Sequence, residues 1–227
     1  MKYWGLMPLL MACQNAADDS GPLAVSDACP VWASISPESS TRSFASTEDY
    51  ELGTGVSTEF ISQVESVSVG ETGLDVRLVV EGSSESDSWD SHIYQTTSLY
   101  RCDSNGAWLL SSQTEMETVI DGMSVSQITE TIYFDAFIMP QTIELGDSWQ
   151  SVFRGETTDS SGTVHEHSTV IDSTVTAVED LTVGAGRFDA LVVEERFEDK
   201  TRSAYRVAAG PGFLLSEDYE LVGYSAP

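Results

Sequence analysis

Leu74-Asp75-Val76-Arg77-Leu78-Val79-Val80-Glu81 alternates apolar and polar side chains over most of its length. On an extended chain Leu74, Val76, Leu78 and Val80 point one way and Asp75, Arg77, Val79 and Glu81 the other, the period-2 pattern of an antiparallel strand with one wet face. The stretches 56–69, 91–101, 108–117, 125–134, 148–153, 164–178, 188–197, 202–208 and 213–221 read the same way. They are rich in β-branched and aromatic residues and are bounded by Gly, Asp, Asn and Ser. No ten-residue window combines helical spacing with caps. Asp103-Ser104-Asn105-Gly106 and Glu198-Asp199-Lys200 fall where hairpin turns are needed, and Asn105-Gly106 offers the positive φ of a tight turn. The expected fold is all-β and antiparallel.

Self-comparison shows a duplication. Val64-Glu65-Ser66-Val67-Ser68-Val69-Gly70 recurs as Val178-Glu179-Asp180-Leu181-Thr182-Val183-Gly184, and the register holds through Leu74-Asp75 against Phe188-Asp189 to Glu81 against Glu195. A second block, Tyr100-Arg101 with Leu109-Leu110-Ser111 and Glu115, recurs as Tyr205-Arg206 with Leu214-Leu215-Ser216 and Glu220. The first copy carries nine more residues between its blocks, in the acidic, Ser-rich segment 82–92, where a longer hairpin loop is expected. A repeat this long is a duplicated domain, not a solenoid or propeller period. The modules expected are 29–135 and 136–227, separate or sharing one continuous sheet, in a curved half-barrel or sandwich-like arrangement.

The 227 residues, 41% hydrophobic and 9% aromatic, suffice for a folded core. The formal charge of −27 repels phosphate backbones, which excludes nucleic acid as a partner class.

Lys2 precedes an uncharged run from Tyr3 to Ala12 that ends at Cys13. The run is too short for a membrane-spanning helix, which needs about 20 residues, and reads as a signal peptide over 1–12. A buried N-terminal strand or a misplaced start codon is the alternative. Leu10-Met11-Ala12-Cys13 resembles the lipobox of bacterial lipoproteins. That resemblance implies that Cys13 carries a diacylglycerol and becomes the mature N-terminus, anchoring the protein to a membrane through acyl chains. Gln14 stands where the family's enterobacterial members place an inner-membrane Asp, which implies the outer membrane of the cell envelope. Residues 13–28 read as a lipidated tether, about 50 Å long at ~3.3 Å per residue. Cys29 and Cys102 remain, an even pair that suggests a structural disulfide in an exported chain, with two buried free thiols as the alternative.

The second module carries Leu145-Gly146-Asp147-Ser148-Trp149, then Leu181-Thr182-Val183-Gly184-Ala185-Gly186-Arg187-Phe188, then Ala209-Gly210-Pro211-Gly212-Phe213. These motifs resemble periplasmic β proteins of the TapB-like group and, more distantly, the LolA and LolB lipoprotein carriers. The resemblance implies a curved sheet, and in the carrier case an apolar ligand sheltered on its concave face.

Catalytic signatures are absent: there is no Gly-x-Ser-x-Gly elbow, P-loop, His-Glu-x-x-His or Cys-x-x-Cys. Asp19-Ser20-Gly21 reads as linker. His165 and His167, two apart on a strand, share a face and offer two ligands to a transition metal without a third nearby; two solvent-side histidines is the competing reading. Asp103-Ser104-Asn105-Gly106 opens like a Ca²⁺ loop but lacks the later ligands, so it reads as a turn. Trp108 and Trp149 are candidate core anchors and Trp89 a candidate surface aromatic.

The expectation is a lipid-anchored envelope protein acting as a binding or scaffolding module, without catalysis or cofactor. Its partners are the membrane, an apolar ligand or an envelope protein, and cations held weakly by acidic loops. The alternatives are an apolar-ligand carrier and a metal-assisted hydrolase using His165 and His167. Intact-mass measurement of the mature protein tests the address: the expected result is cleavage before Cys13 with an acyl adduct, and a gain of two hydrogens on reduction. A full-length chain with three free thiols would overturn it.

Overall fold

The computed structural model describes residues 41–70, 72–86, 89–198, 200–206 and 213–225. The expected leader 1–12, the tether 13–28, Asp19-Ser20-Gly21, Cys13 and Cys29 lie outside the described residues. The chain runs β1 (Thr41–Ser46), α1 (Glu48–Thr54), β2 (Val56–Val69), β3 (Leu74–Ser86), β4 (Trp89–Cys102), β5 (Gly106–Ile120) and β6 (Met123–Asp135). It continues as β7 (Phe137–Pro140), β8 (Ser148–Thr158), β9 (Val164–Val183), β10 (Gly186–Phe197), β11 (Lys200–Arg206), β12 (Phe213–Leu215) and β13 (Tyr219–Ser225).

Alternation makes these segments strands, and antiparallel pairing joins each to its chain neighbour. The last strand returns to the first, with Thr41 opposite Ser225 and Ser46 opposite Tyr219. β4 pairs with β5 from Ser91 opposite Val119 to Cys102 opposite Ala107, so the sheet has no gap there. β7 prolongs β6: β6 pairs with β5 down to Ser111, Leu109 N–H donates to the Ala136 carbonyl at 2.9 Å, and Trp108 then faces Phe137. The result is a closed, twelve-strand, up-and-down barrel. The half-barrel or sandwich expected from the sequence is corrected here, because the β1–β13 ladder joins the two edges that either of those forms would leave open.

In this ring the repeated blocks occupy corresponding stations. Val64 to Glu81 lies on β2 and β3 and its counterpart on β9 and β10; Tyr100 to Leu110 lies on β4 and β5 and its counterpart on β11 and β12. The stations are six strands apart around the ring, half a turn. The nine extra residues of the first copy do not make a longer loop. They extend the β3–β4 ladder, with Ser83 opposite Ile93, Ser84 opposite His92 and Ser86 opposite Trp89. Alternating Ser, Ile and His on facing strands satisfy one another's backbone groups, and a loop would leave those groups to solvent.

The short helix α1 has no counterpart in the sequence reading. Thr47 caps it by accepting from Tyr50 N–H at 3.3 Å, and Gly55, at φ 67°, closes it by donating to the Glu51 carbonyl at 2.8 Å. Seven residues are too few for helical periodicity to register.

Two apolar clusters fill the barrel. One joins Val64, Val76 and Leu78 of β2 and β3 to Val175 and Val193 of β9 and β10, so opposite walls meet; Cys102, Met139 and Ile143 belong to it. Gly146 N–H and the Asp147 carbonyl bond the backbone of Val175 at 2.9 Å each, which ties the loop before β8 to this core. The other gathers Phe44, Val183, Ala190, Leu214 and Leu221. A register shift between Val192 and Val193 lets β10 serve both: Val193 faces the first cluster and Ala190 the second. The tip of the β9–β10 hairpin then docks on β13, with Gly184 N–H donating to Glu220 Oε1 at 2.6 Å and Ala185 N–H to the Leu221 carbonyl at 3.1 Å.

Above the second cluster Tyr219 packs against Tyr50 of α1 (5.7 Å between ring centroids) and edge-on against Phe60 (5.2 Å). Burial pushes its phenol up to about 12, with Tyr50 adding to the shift.

Leu221 is fully buried. Its replacement by Ala is expected to lower unfolding free energy by about 2–5 kcal/mol, read by urea denaturation with an unchanged slope. The Tyr219 shift carries a sign: a phenol that keeps its proton longer in the folded state stabilises fully below the unfolded value near 10, and that contribution disappears as pH rises to about 12. Stability measured between those limits should fall with pH, and Tyr219→Phe should flatten the fall.

Candidate functional site

Cross-strand register assembles a surface that no single segment encodes. Ser43, Ile61, Glu81, Gln95, Glu115 and Ile128 stand opposite one another in one row across β1 to β6. Two residues along, Glu59, Ser83, Ile93, Glu117 and Ser126 form a second row on the same face. Between them runs Phe44, Phe60, Gly82, Tyr94 and Met116, which faces inward with the core. The two outward rows, with Phe44, Phe60, Gly82, Tyr94 and Met116 of the row between them, line an open trough of about 930 Å³. Ile61, Ile93, Ile128 and, from β13, Val222 supply its apolar surface, each exposed. Glu59, Glu81, Glu115 and Glu117 supply four carboxylates. A smaller concavity of about 310 Å³ adjoins it through Ile61, Glu81 and Gln95 and holds the Arg77–Glu65 ion pair.

Three of the four carboxylates accept from neutral donors among the described residues. Glu81 takes Gln95 Nε2, Glu115 takes Gln113 Nε2 at 3.1 Å, and Glu117 takes the Ser124 hydroxyl. The ion pairs of the described residues lie elsewhere, at Asp75–Arg101, Asp180–Arg187 and Glu195–Arg202 among others. The trough therefore presents apolar surface inside an uncompensated negative field.

The residues singled out in the sequence go to other places. His165 faces Thr157 and His167 faces Gly155, on the side of β9 that carries buried Ser173 and Val175. His165 lies 3.9 Å from Asp159 and is 66% exposed. His167 packs edge-on against Tyr133 at 5.6 Å. Among the described residues no three His, Cys, Asp or Glu side chains gather as a metal site. Asp159 holds the adjoining turn: its carboxylate accepts from Ser161 N–H at 2.8 Å, the Ser161 hydroxyl at 2.6 Å and Thr163 N–H at 2.9 Å, and these bonds hold its pKa below the ordinary carboxylate value.

Asp103 builds the β4–β5 turn by accepting from Asn105 N–H at 2.7 Å and Gly106 N–H at 3.1 Å. Cys102 is fully buried and disulfide-bonded, its partner lying outside the described residues. Trp149 packs against the first cluster and donates to the Ile138 carbonyl at 3.0 Å; Trp108 meets Phe137 edge-on at 5.0 Å. The side chain of Trp89 lies outside those described.

Sequence reading missed the trough. Its one legible signal was Ile at outward positions 61, 93 and 128, but their adjacency depends on four registers that a sequence does not state.

The fold defines a class, the closed antiparallel β-barrel of meander topology, with a trough lined by carboxylates and exposed aliphatic side chains. Comparison with protein-family models, curated sequences and solved structures finds no match for this chain. No helix among the described residues is long and apolar enough to cross a membrane.

Proposed function

We propose that this chain is a lipid-anchored envelope protein that works as a non-catalytic binding module, and that the outer trough takes a cationic ligand with apolar side groups. The observation that carries the reading is the trough's composition: four exposed aliphatic residues and four carboxylates that form no ion pair among the described residues. Aliphatic surface left in solvent marks a binding patch, and a field of one sign selects and steers partners of the other. The outward face also argues against burying these strands in lipid, because Glu59, Glu81, Glu115, Glu117 and Glu130 stand where a membrane-spanning barrel carries its apolar band. The packed interior favours the outer wall over a carried apolar ligand: Val64, Val175 and Val193, from opposite walls, are completely buried. The lipobox-like Leu10-Met11-Ala12-Cys13 supports the anchor, and the buried, cross-linked Cys102 suits an oxidising compartment.

The double variant Glu81→Gln with Glu115→Gln tests the reading. A fluorescent peptide alternating lysine and valine should bind the native protein, weaken steeply with added salt, and bind the variant about tenfold less tightly at low ionic strength. Equal affinity for native and variant proteins would sink the proposal.

A further inference from the structure

The barrel closes unevenly. β8 pairs with β6 only from Glu130 opposite Thr158 to Asp135 opposite Arg154. Above that level, among the described residues, nothing pairs with the far side of residues 123–129 of β6, while their near side is laddered to β5 from Met123 opposite Ile120 to Thr129 opposite Thr114. Which groups are open follows from the turn. Asp121 and Gly122 have φ of 51° and 72°, a two-residue turn with both central residues left-handed, so Ile120 and Met123 are the hydrogen-bonded pair that closes the hairpin. Residues 123, 125, 127 and 129 then spend their backbone groups on β5. Ser124, Ser126 and Ile128 direct N–H and C=O outward.

This edge lacks the devices that discourage strand addition. Met123-Ser124-Val125-Ser126-Gln127-Ile128-Thr129 contains no Lys, no Pro and no charge, in a chain with 37 acidic residues. Met123 is 69% exposed, and Val125 and Ile128 are exposed on its two faces. On the outward face the edge borders the trough directly: Ser126 stands opposite Glu117, and Ile128 opposite Glu115, with Glu130 next along the strand.

We propose that residues 123–129 are a strand-addition site, and that the occupant is an extended basic segment of another polypeptide, which joins the sheet at this edge and lays its cationic side chains toward Glu115, Glu117 and Glu130. The inference rests on the trough as a binding surface and names how a ligand enters it. The open donors and acceptors bind any extended backbone, and the flanking carboxylates choose one with Lys or Arg at alternate positions, the outward set. Charge also decides against a second copy of this chain. An antiparallel pair centred on Ser126 would set Glu130 of each copy beside Asp121 and Gly122 of the other, between bodies of charge −27.

Ser126→Pro removes the central open N–H without touching a bond to β5, a position where an edge strand tolerates proline. Ser126→Lys keeps the backbone and places a cation against the incoming one. The lysine–valine peptide, titrated onto the whole protein, should bind each variant at least about tenfold more weakly than native, with far-ultraviolet circular dichroism unchanged, and should protect the amides of Ser124, Ser126 and Ile128 from hydrogen exchange. Undiminished binding to both variants, with loss only in the Glu81→Gln, Glu115→Gln protein, would overturn the edge site while leaving the trough intact. Sedimentation of the native protein alone as a dimer that Ser126→Pro dissolves would overturn it in favour of a second copy. If the proline variant does not fold, the lysine variant and the exchange pattern still decide.

Discussion

The ladder between β1 and β13 is the bond on which the rest of the molecule depends. Six residues of β1 lie between β13 on one side and β2 on the other, from Thr41 to Ser46. Without it the strands would form an open meander with two hydrogen-bonding edges, and Phe44, which touches Phe60 on one neighbour and Phe213 across the gap, would lose its packing. The closing strand is short, so its hold comes from what it brings together. Leu221, opposite Phe44, and Leu214 complete the second cluster only when the ring is shut. The β9–β10 hairpin tip, bonded to Glu220 and Leu221, buttresses the seam where β12 is only three residues long.

Twelve strands enclose more space than side chains readily fill, and the register shifts answer that demand. They occur around the ring, at Ser43/Phe44, Val64/Ser66, Tyr133/Asp135 and Val192/Val193 among others. Bulges raise local twist and re-aim side chains, which lets valines of opposite walls touch in place of a water-filled channel. The polar residues this leaves inside find one another. Arg42 donates to the Ser62 hydroxyl at 2.8 Å, and threonines pair across strands at Thr96–Thr114 and Thr131–Thr157. At Gly155 the approach is close enough that a Cβ would stand 2.4 Å from the Ile132 carbonyl oxygen, so only glycine lets β6 and β8 meet there.

That meeting of β6 and β8 is also where the barrel stops being uniform. Below it the wall is continuous; above it, among the described residues, β6 is paired on its β5 side only, and its other backbone edge lies open beside the carboxylates of the trough. The asymmetry follows from how far each neighbour runs along β6: β8 meets it only from Glu130 onward, whereas β5 is laddered to it up to the turn at Asp121 and Gly122. Carboxylates and exposed aliphatic side chains coincide on this wall.

The strands were legible in the sequence because alternation is local: of the set Leu74, Val76, Leu78 and Val80 read from eight residues, the first three are buried in the fold and Val80 is partly buried against the same cluster. So were the turn at Asp103–Gly106, which needs only its own side chain and a glycine, and the match of the hairpin blocks to one another. His165 and His167 were placed correctly on one face, but what surrounds that face is a turn aspartate and a tyrosine from β6, which no spacing within β9 announces. Barrel closure, the length of the β3–β4 ladder, and the rows that bring Ile61, Ile93 and Ile128 together were decided only in three dimensions. Each depends on register between strands far apart in the chain, and register is set by the summed packing of a closed sheet, where moving one strand by one residue would turn its buried face to water.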